Sequence, residues 1–518
     1  MAGPTDLEQL LLELINDARL SPLADAGRYV KTDSELPVNC SKSACKVSLR
    51  RSYCSRLASA TCYLAVLAAA PHALAEPLHQ AMAAAYEFNS RLLAERASLR
   101  ALDEEVARAN SGYRPTLSAN ADAGSQRETD RPRDFRTSGI TQPRGFGITA
   151  TQQLFNGFRT INGVREAEAG VMAGRANLLA VEQAVLGEVA NAYMSVIRDQ
   201  KLVALRETNV DFLQQELAAN VRRREEGHVT RTDVSQTAAQ LSVFKSQLQL
   251  ANGHLQASLA AYERVVGRPP SNSRLMEPRI ASSMLPSNLE QAMAQAEQDH
   301  PNVIAATFRE HAAKIAIDRI RGELLPSAQL QSVYTRRLEP SVLMDKADTL
   351  SVRGVVSIPI YSGGEVEARV RQAKQTHIAR IEELNQARRD ARARASQAWT
   401  ALDIARRRLA SDRQNIVESS DALDGMRKEE RAGQRTVNEV LNAQQIQFNA
   451  QANLLATEYD LKVATYTLLA SIGRLHTEYL DLSADVYDPR LNYEATKRRW
   501  SGLTITHSDG RKEAVPPK

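Results

Sequence analysis

The sequence predicts a mainly α fold with a membrane β-barrel portion: long coiled-coil helices joined to short strands, built as an internal two-fold repeat whose sheet closes only between chains. Three observations predict it. One unit is written twice at a constant spacing, each copy holds a very long proline-free tract, and each tract follows residues that alternate apolar and polar.

The repeat is visible by subtraction. Leu78, Ala81, Asn89, Leu92 and Pro115 pair with Leu289, Ala292, His300, Val303 and Pro326, always 211 positions apart. Beyond Pro115 the spacing is 206: Phe155-Asn156-Gly157 pairs with Tyr361-Ser362-Gly363, Tyr193 with Trp399, Gly227 with Gly433, Asp233 with Glu439, and Gly267-Arg268 with Gly473-Arg474. One extra residue in a helix rotates everything beyond it by about 100°, so a spacing held this long marks rigid helices. The single change falls between Pro115 and Phe155, where a loop absorbs it. Repeat one is placed at 76–270, repeat two at 288–475 and a C-terminal tail at 476–518.

Proline is absent between Pro143 and Pro269 and between Pro359 and Pro489, which permits uninterrupted helices. Long helices are expected at about 158–226 and 364–432, with return helices at about 231–268 and 436–474. At 1.5 Å per residue each long arm reaches on the order of 100 Å. Each begins after a strand-to-helix turn, Asn156-Gly157 or Ser362-Gly363, and is interrupted at Gly227 or Gly433. Those two glycines either form tight turns with positive φ or simply end helices. In the second arm Ala391, Ala395, Ala398, Leu402, Ala405 and Leu409 recur at spacings of three and four, a seam of small residues that lets helices approach closely.

Ahead of the first arm Phe146, Ile148, Ala150, Gln152 and Leu154 alternate with Gly145, Gly147, Thr149, Thr151 and Gln153; ahead of the second, Val352, Val356, Ile358 and Ile360 share one side. These read as strands at about 144–155 and 350–361, with partners at about 115–127 and 326–338 and a polar loop at 127–143. Their length suits tilted membrane-spanning strands. Pattern alone fits a soluble hairpin packed on a domain better; export and the repeated link to long helices favour the membrane. A lone hairpin would present unpaired N–H and C=O groups to hydrocarbon. The sheet must therefore be shared between copies, which predicts a symmetric oligomer.

Arg50, Arg51 and Arg56, the apolar run Leu57 to Ala70, and Ala73-Leu74-Ala75 have the three parts of a secretory signal peptide. Cleavage is expected after Ala75, making 1–75 an N-terminal extension plus signal peptide and 76–518 the mature chain. A start codon assigned too far upstream would explain residues 1–46. No later stretch reaches the roughly 18 apolar residues of a transmembrane helix. Cys40, Cys45, Cys54 and Cys62 all precede the cleavage point and match no zinc-ligand spacing. The 66 Lys and Arg against 61 Asp and Glu are scattered, so no nucleic-acid partner is expected.

Gln153-Leu-Phe-Asn-Gly-Phe-Arg159, Glu225-Glu-Gly-His-Val-Thr-Arg-Thr-Asp233, Tyr361-Ser-Gly-Gly364 and Gly433-Gln-Arg-Thr-Val-Asn-Glu-Val-Leu441, together with the duplicated spacing, resemble the outer-membrane efflux (TolC-like) family through to about Leu475. The resemblance implies a homotrimer in outer-membrane lipid, each chain giving four strands to one barrel and its helices to a periplasmic tunnel. It implies two partners: a periplasmic adaptor (membrane fusion) protein and an inner-membrane RND-type or ABC transporter. By the same resemblance Asp233 and Arg435 correspond to an ion pair between neighbouring coiled coils that keeps the periplasmic aperture shut. Glu439 corresponds to an acidic ring around that aperture, Asn442 to a second ring position that is acidic in the best-known members, and Glu430 to a tyrosine link. Gly227, Thr232, Gly433 and Thr436 fall on the turns where the family docks its adaptor.

His228, His254, His311, His377 and the other histidines form no His-x-x-x-His or Cys/His cluster, and no phosphate loop or nucleophile elbow is present. No catalytic, cofactor-binding or metal-ligating residue is expected, and the chain is not read as an enzyme. The competing reading is a periplasmic adaptor or soluble coiled-coil scaffold. Adaptors present one helical hairpin between lipoyl-like and β-barrel segments, whereas here the hairpin occurs twice with a strand pair before each copy.

Overall fold

The computed structural model describes residues 76–130, 137–270, 275–278, 284–507 and 512–513. The expected signal peptide, its cleavage point and the four cysteines lie outside these residues.

Each repeat opens with two helices end to end, α1 (Leu78–Phe88) and α2 (Ser90–Asn110) in the first, α5 (Leu289–Asp299) and α6 (Pro301–Arg321) in the second. Each then passes through strands into a long helix, α3 (Arg159–Glu225) or α7 (Glu365–Arg431), both of 67 residues. Shorter helices return from the far end, α4 (Arg231–Val266) and α8 (Val437–Ser471). The Asn89 side chain accepts from the Arg91 and Leu92 N–H groups at the start of α2 and donates to the Val265 carbonyl at the end of α4. One amide thus satisfies orphan groups of two helices and stacks α4 on α2. Around the long helices the chain forms one layer: α3 packs against α2 and α6, and further along against α4 and α8, while α7 packs against α6 and α8.

The largest apolar cluster lies midway along this layer, around Leu186, Val189, Tyr193, Tyr262, Leu468, Leu469 and Ile472, all almost fully buried. Here the Tyr193 hydroxyl lies 2.5 Å from the Glu76 carbonyl and 2.7 Å from that of Met276, tying the residues ahead of α1 and the segment between the repeats to α3. In the second arm Ala391, Ala395, Ala398, Leu402 and Ala405 are buried in the seam, while Leu409 is only partly covered.

The strands form a four-stranded antiparallel sheet in the order β1 (Thr116–Ala123), β4 (Arg144–Asn156), β5 (Ser327–Ser341) and β6 (Met344–Ser357). Here the structure corrects the sequence reading. The strand expected at 115–127 stops at Ala123, and Gln126–Asp130 (β2) pairs instead with Thr137–Thr141 (β3) as a separate ribbon inside the expected loop. Gly124 and Pro143 sit at its base, the Gly124 N–H donating to the Pro143 carbonyl, and Pro143 has no donor with which to continue the ladder. The strand expected at 350–361 ends at Ser357, because Pro359 likewise cannot donate; its other end runs on to Met344, so β5 and β6 meet in a short turn.

The tail packs alongside the first repeat. The buried Glu182 carboxylate accepts from the Thr477 N–H and hydroxyl. On α9 (Pro489–Lys497), Asn492 donates to the buried Asp103 at 2.7 Å and Lys497 pairs with Glu168 at 3.0 Å. Burial raises the Asp103 pKa, and the Asn492 hydrogen bond opposes that rise. A last two-stranded ribbon pairs β7 (Ile505–Thr506) with β8 (Lys512–Glu513).

Candidate functional site

The two ends of the molecule carry the candidate site: the tips of the helical hairpins and the sheet. Each tip is built by the same local chemistry. At the end of α3 the Gly227 N–H donates to the Arg224 carbonyl and the His228 N–H to that of Arg223; at the end of α7 Gly433 and Gln434 do the same with Glu430 and Glu429. This is the Schellman closure. Gly227 and Gly433 have φ of 80° and 75° with open space around a built Cβ, so backbone conformation, not crowding, requires glycine. They both turn the chain and end the helix.

The return helices start with matched capping boxes. Thr230 Oγ1 accepts from the Asp233 N–H while Asp233 accepts from the Thr230 N–H at 2.8 Å; Thr436 and Glu439 repeat the exchange. The first cap is therefore Thr230, whereas Thr232 is exposed and takes no part in it. The Thr-x-x-Asp/Glu spacing is the signal that could have singled out Thr230. Arg435 sits between two carboxylates of its own hairpin, Glu429 at 2.9 Å and Glu439 at 3.3 Å, which raise its pKa. The Thr436 N–H and hydroxyl, then Arg435, hold the Glu439 carboxyl below its ordinary range. Asp233 and Arg435 are thus each engaged locally and are not brought together within one chain. Asn442 is exposed on α8.

Glu430 is drawn elsewhere. It accepts from Arg223 Nη1 at 2.6 Å, joining the end of α7 to the end of α3, while Arg223 Nη2 reaches Glu216. Beside this bridge Gln240 donates to Gln445 at 2.7 Å, Arg427 lies 4.8 Å over the Phe212 ring, and Phe448 of α8 packs edge-on against Phe212 and Phe244. Arg223 is a functional candidate that the sequence reading missed. It is one of three consecutive arginines, Arg222 to Arg224, and nothing in the sequence marks which one faces the other hairpin.

At the opposite end the register places Leu117, Ala150, Ser332 and Val352 in one row and Ala119, Ile148, Tyr334 and Leu350 in the next, on the same face. The alternate rows, including Ser118, Thr149, Val333 and Ser351, carry mostly polar side chains. One face is apolar and the other polar, as a barrel between lipid and water requires. Leu117, Leu350, Val352 and Val356 are 62–75 % exposed, and β1 and β6 are edge strands without a second neighbour among the described residues.

The strand-to-helix turns differ between repeats. Asn156 accepts from the Thr160 N–H and donates to the Thr160 hydroxyl at 2.6 Å. A Cβ on Gly157 would overlap the Gly322 carbonyl oxygen, so the first turn is pressed against the second repeat. Gly363, which follows Ser362, and Gly364 have no such neighbour.

Among the described residues no group of three His, Cys, Asp or Glu side chains could hold a metal ion, and no helix is long and apolar enough to cross a membrane. His377 meets Glu310 at 2.5 Å, an isolated contact between α7 and α6.

Residues 82–268 and 292–474 match the family described as outer membrane efflux protein, one match per repeat. The chain is 37% identical to the outer membrane efflux protein BepC of Brucella suis over 444 residues, covering 85% of this chain and 94% of that one. It is 24% identical to the outer membrane protein TolC of Vibrio cholerae, covering 79% and 94%. Among solved structures it superposes on the outer membrane protein VceC of Vibrio cholerae with a TM-score of 0.66 at 16% identity, over 76% of this chain and 96% of that one. It also superposes on the Neisseria gonorrhoeae outer membrane channel MtrE, captured in its open state, with a TM-score of 0.63 at 17% identity, over 78% and 90%. The named relatives are all outer membrane proteins, BepC named for efflux and MtrE as a channel. Long paired helices, a two-faced sheet and a family match spanning both repeats lead to one assignment: the chain belongs to the outer membrane efflux protein family.

Proposed function

We propose that three copies of this chain close into one barrel and one tunnel, forming the exit duct of a tripartite efflux or type I secretion machine. The observation that carries this reading is the pair of open edges. Strands β1 and β6 would leave a row of backbone groups unpaired in hydrocarbon, whereas β6 of one copy and β1 of the next can continue the antiparallel order. The turn at Gly363 supports the same closure. Its counterpart Gly157 rests on Gly322 of the other repeat, while Gly363 faces open space where a neighbouring copy would supply the equivalent surface.

At the far end the hairpin tips around Gly227, Thr232, Gly433 and Thr436 dock a periplasmic adaptor, and an inner-membrane RND-type or ABC transporter drives the cargo. Some relatives are named for protease secretion, AprF of Pseudomonas aeruginosa and PrtF of Dickeya chrysanthemi, and others for efflux, so both routes stay within the proposal. Arg435 reaches Asp233 of an adjacent coil when the trimer is shut, and Glu439 with Asn442 lines the aperture. Glu430 acts through Arg223. The test is the mass of the purified protein in detergent and its behaviour in a planar bilayer: a trimer with discrete conductance steps is expected, and a monomer that forms no channel would refute the proposal.

A further inference from the structure

The duplication creates two related recesses midway along the helical layer, and they differ in charge at one equivalent position. A shift of 206 positions carries Glu188, Asn191, Ala192 and Ser195, which line the first, onto Arg394, Gln397, Ala398 and Ala401, which line the second. Where the first holds a carboxylate the second holds a guanidinium. Glu188 is engaged, accepting from Arg91 at 3.0 Å. Arg394 makes no hydrogen bond or ion pair with any described residue.

The second recess is also the larger, about 770 Å³ against about 360 Å³, a size that suits a small organic ligand. Its floor is made of small apolar side chains, among them Ala180, Val181, Ala184 and Ala398. Arg394, Gln183 and His300 line the same recess. Gln183 is 4% exposed and its Nε2 has no partner, an unmet donor that is costly to bury. His300 is buried there too; its Nδ1 accepts from the Asn302 N–H, which leaves the ring proton on Nε2. Burial first, then Arg394, lower its pKa to about 4, so at neutral pH the ring is uncharged. The amino end of α6 lies at the same place, adding the positive pole of a helix. The other charges on the wall are Arg91, which is paired with Glu188, and the opposing Glu95.

The recess opens on a definite side. Glu182 and Tyr193 on α3 hold Thr477, Glu76 and Met276 of the segments that belt the layer. Asn177, Ala180 and Ala184 lie roughly half a helical turn away from them at 100° per residue, and Val181 and Gln183 flank that face at about a quarter turn. A duct must keep its bore clear, so the belt lies outside and the recess faces inward. This step rests on the channel reading above.

We propose that the recess containing Arg394, Gln183 and His300 is a transit site on the wall of the bore for organic anions, specifically a carboxylate carried on an apolar body. The carboxylate meets Arg394 and the two neutral N–H donors while the apolar body lies on the alanine floor.

The test uses the full trimer in planar bilayers with 2-naphthoate as probe and the neutral 2-naphthamide as control. Naphthoate is expected to reduce the wild-type current and naphthamide to leave it unchanged. Arg394→Gln should raise the half-blocking concentration about tenfold, the usual consequence of losing a hydrogen bond to a charged group. Arg394→Glu, which copies the first recess, should abolish block. Gln183→Leu, read by equilibrium dialysis of naphthoate against the trimer, should weaken binding several-fold and provides the check if an Arg394 variant fails to insert. Equal block by both compounds, or block unchanged in Arg394→Gln, would overturn the site while leaving the channel intact. A wild-type protein that forms no channel would remove the channel reading, and the site with it.

Discussion

Arg223 and Glu430 join the ends of the two long helices, the guanidinium donating to the carboxylate at 2.6 Å across the gap between hairpins. Glu430 is 15% exposed and Arg223 32%, so the pair is shielded more than an ordinary surface bridge. Removing Arg223 strands a half-buried carboxylate at a cost of about 1–3 kcal/mol. Arg223→Ala and Glu430→Gln are each expected to loosen the tip and raise resting conductance in planar bilayers. The double exchange Arg223→Glu with Glu430→Arg should bring it back toward wild type; a resting conductance unchanged in both single variants would show that the bridge does not hold the tip.

The capping boxes can be tested separately. Thr230→Ala and Thr436→Ala each remove a side-chain acceptor from a helix start, worth about 1 kcal/mol locally. Faster hydrogen exchange confined to the first turns of α4 and α8 is expected, with the middle of the layer unaffected. The second box also depends on acid. Glu439 has a depressed pKa, so its contribution is complete above the ordinary carboxylate range and is lost as pH falls through its lowered value. Protection of the Thr436 and Glu439 amides, taken relative to the intrinsic exchange rate at each pH, should therefore fall on acidification, and should become independent of acid in Glu439→Gln.

What was legible in the sequence was whatever repeats. Constant spacing located both long helices, because a helix cannot absorb an insertion without rotating its far end, and alternation located the strands. The ribbon of β2 and β3 was hidden because it is an insertion in one repeat only, and Gln126–Asp130 has no apolar alternation to announce it. The Arg223–Glu430 bridge was hidden for a different reason. It joins residues 207 positions apart, and only the packing of one hairpin on the other determines which of three adjacent arginines makes it. Asp233 and Glu439 are matched by the repeat, and the capping role they have here follows from the Thr three residues earlier, not from the charge alone.

Gly157 and Gly363 provide a contrast between a contact inside the chain and one expected between chains. Both have positive φ, 66° and 69°, so alanine costs about 1–2 kcal/mol at either. Only Gly157 is also pressed against the Gly322 carbonyl. Gly157→Ala should prevent folding of the protomer itself. Gly363→Ala should allow the protomer to fold and instead lower the yield of trimer, measured by light scattering in detergent. Identical trimer yields for wild type and Gly363→Ala would contradict a neighbour at that turn.

Glu277 anchors the segment between the repeats by meeting two lysines, Lys201 on α3 and Lys462 on α8, the latter at 2.9 Å. Their hydrogen bonds lower its pKa to about 2 from an ordinary 4.5. A carboxyl depressed on folding binds its proton more weakly in the native state, so the unfolded chain takes up protons first as pH falls. The stabilisation from Glu277 is therefore full above about pH 4.5 and disappears progressively toward about pH 2. Glu277→Gln should lower Tm at neutral pH and flatten the dependence of Tm on pH within that window. All three side chains are partly exposed, so concentrated salt should reduce the difference between wild type and variant. Parallel Tm curves for the two proteins across the acid window would mean that the lysines do not hold this carboxylate.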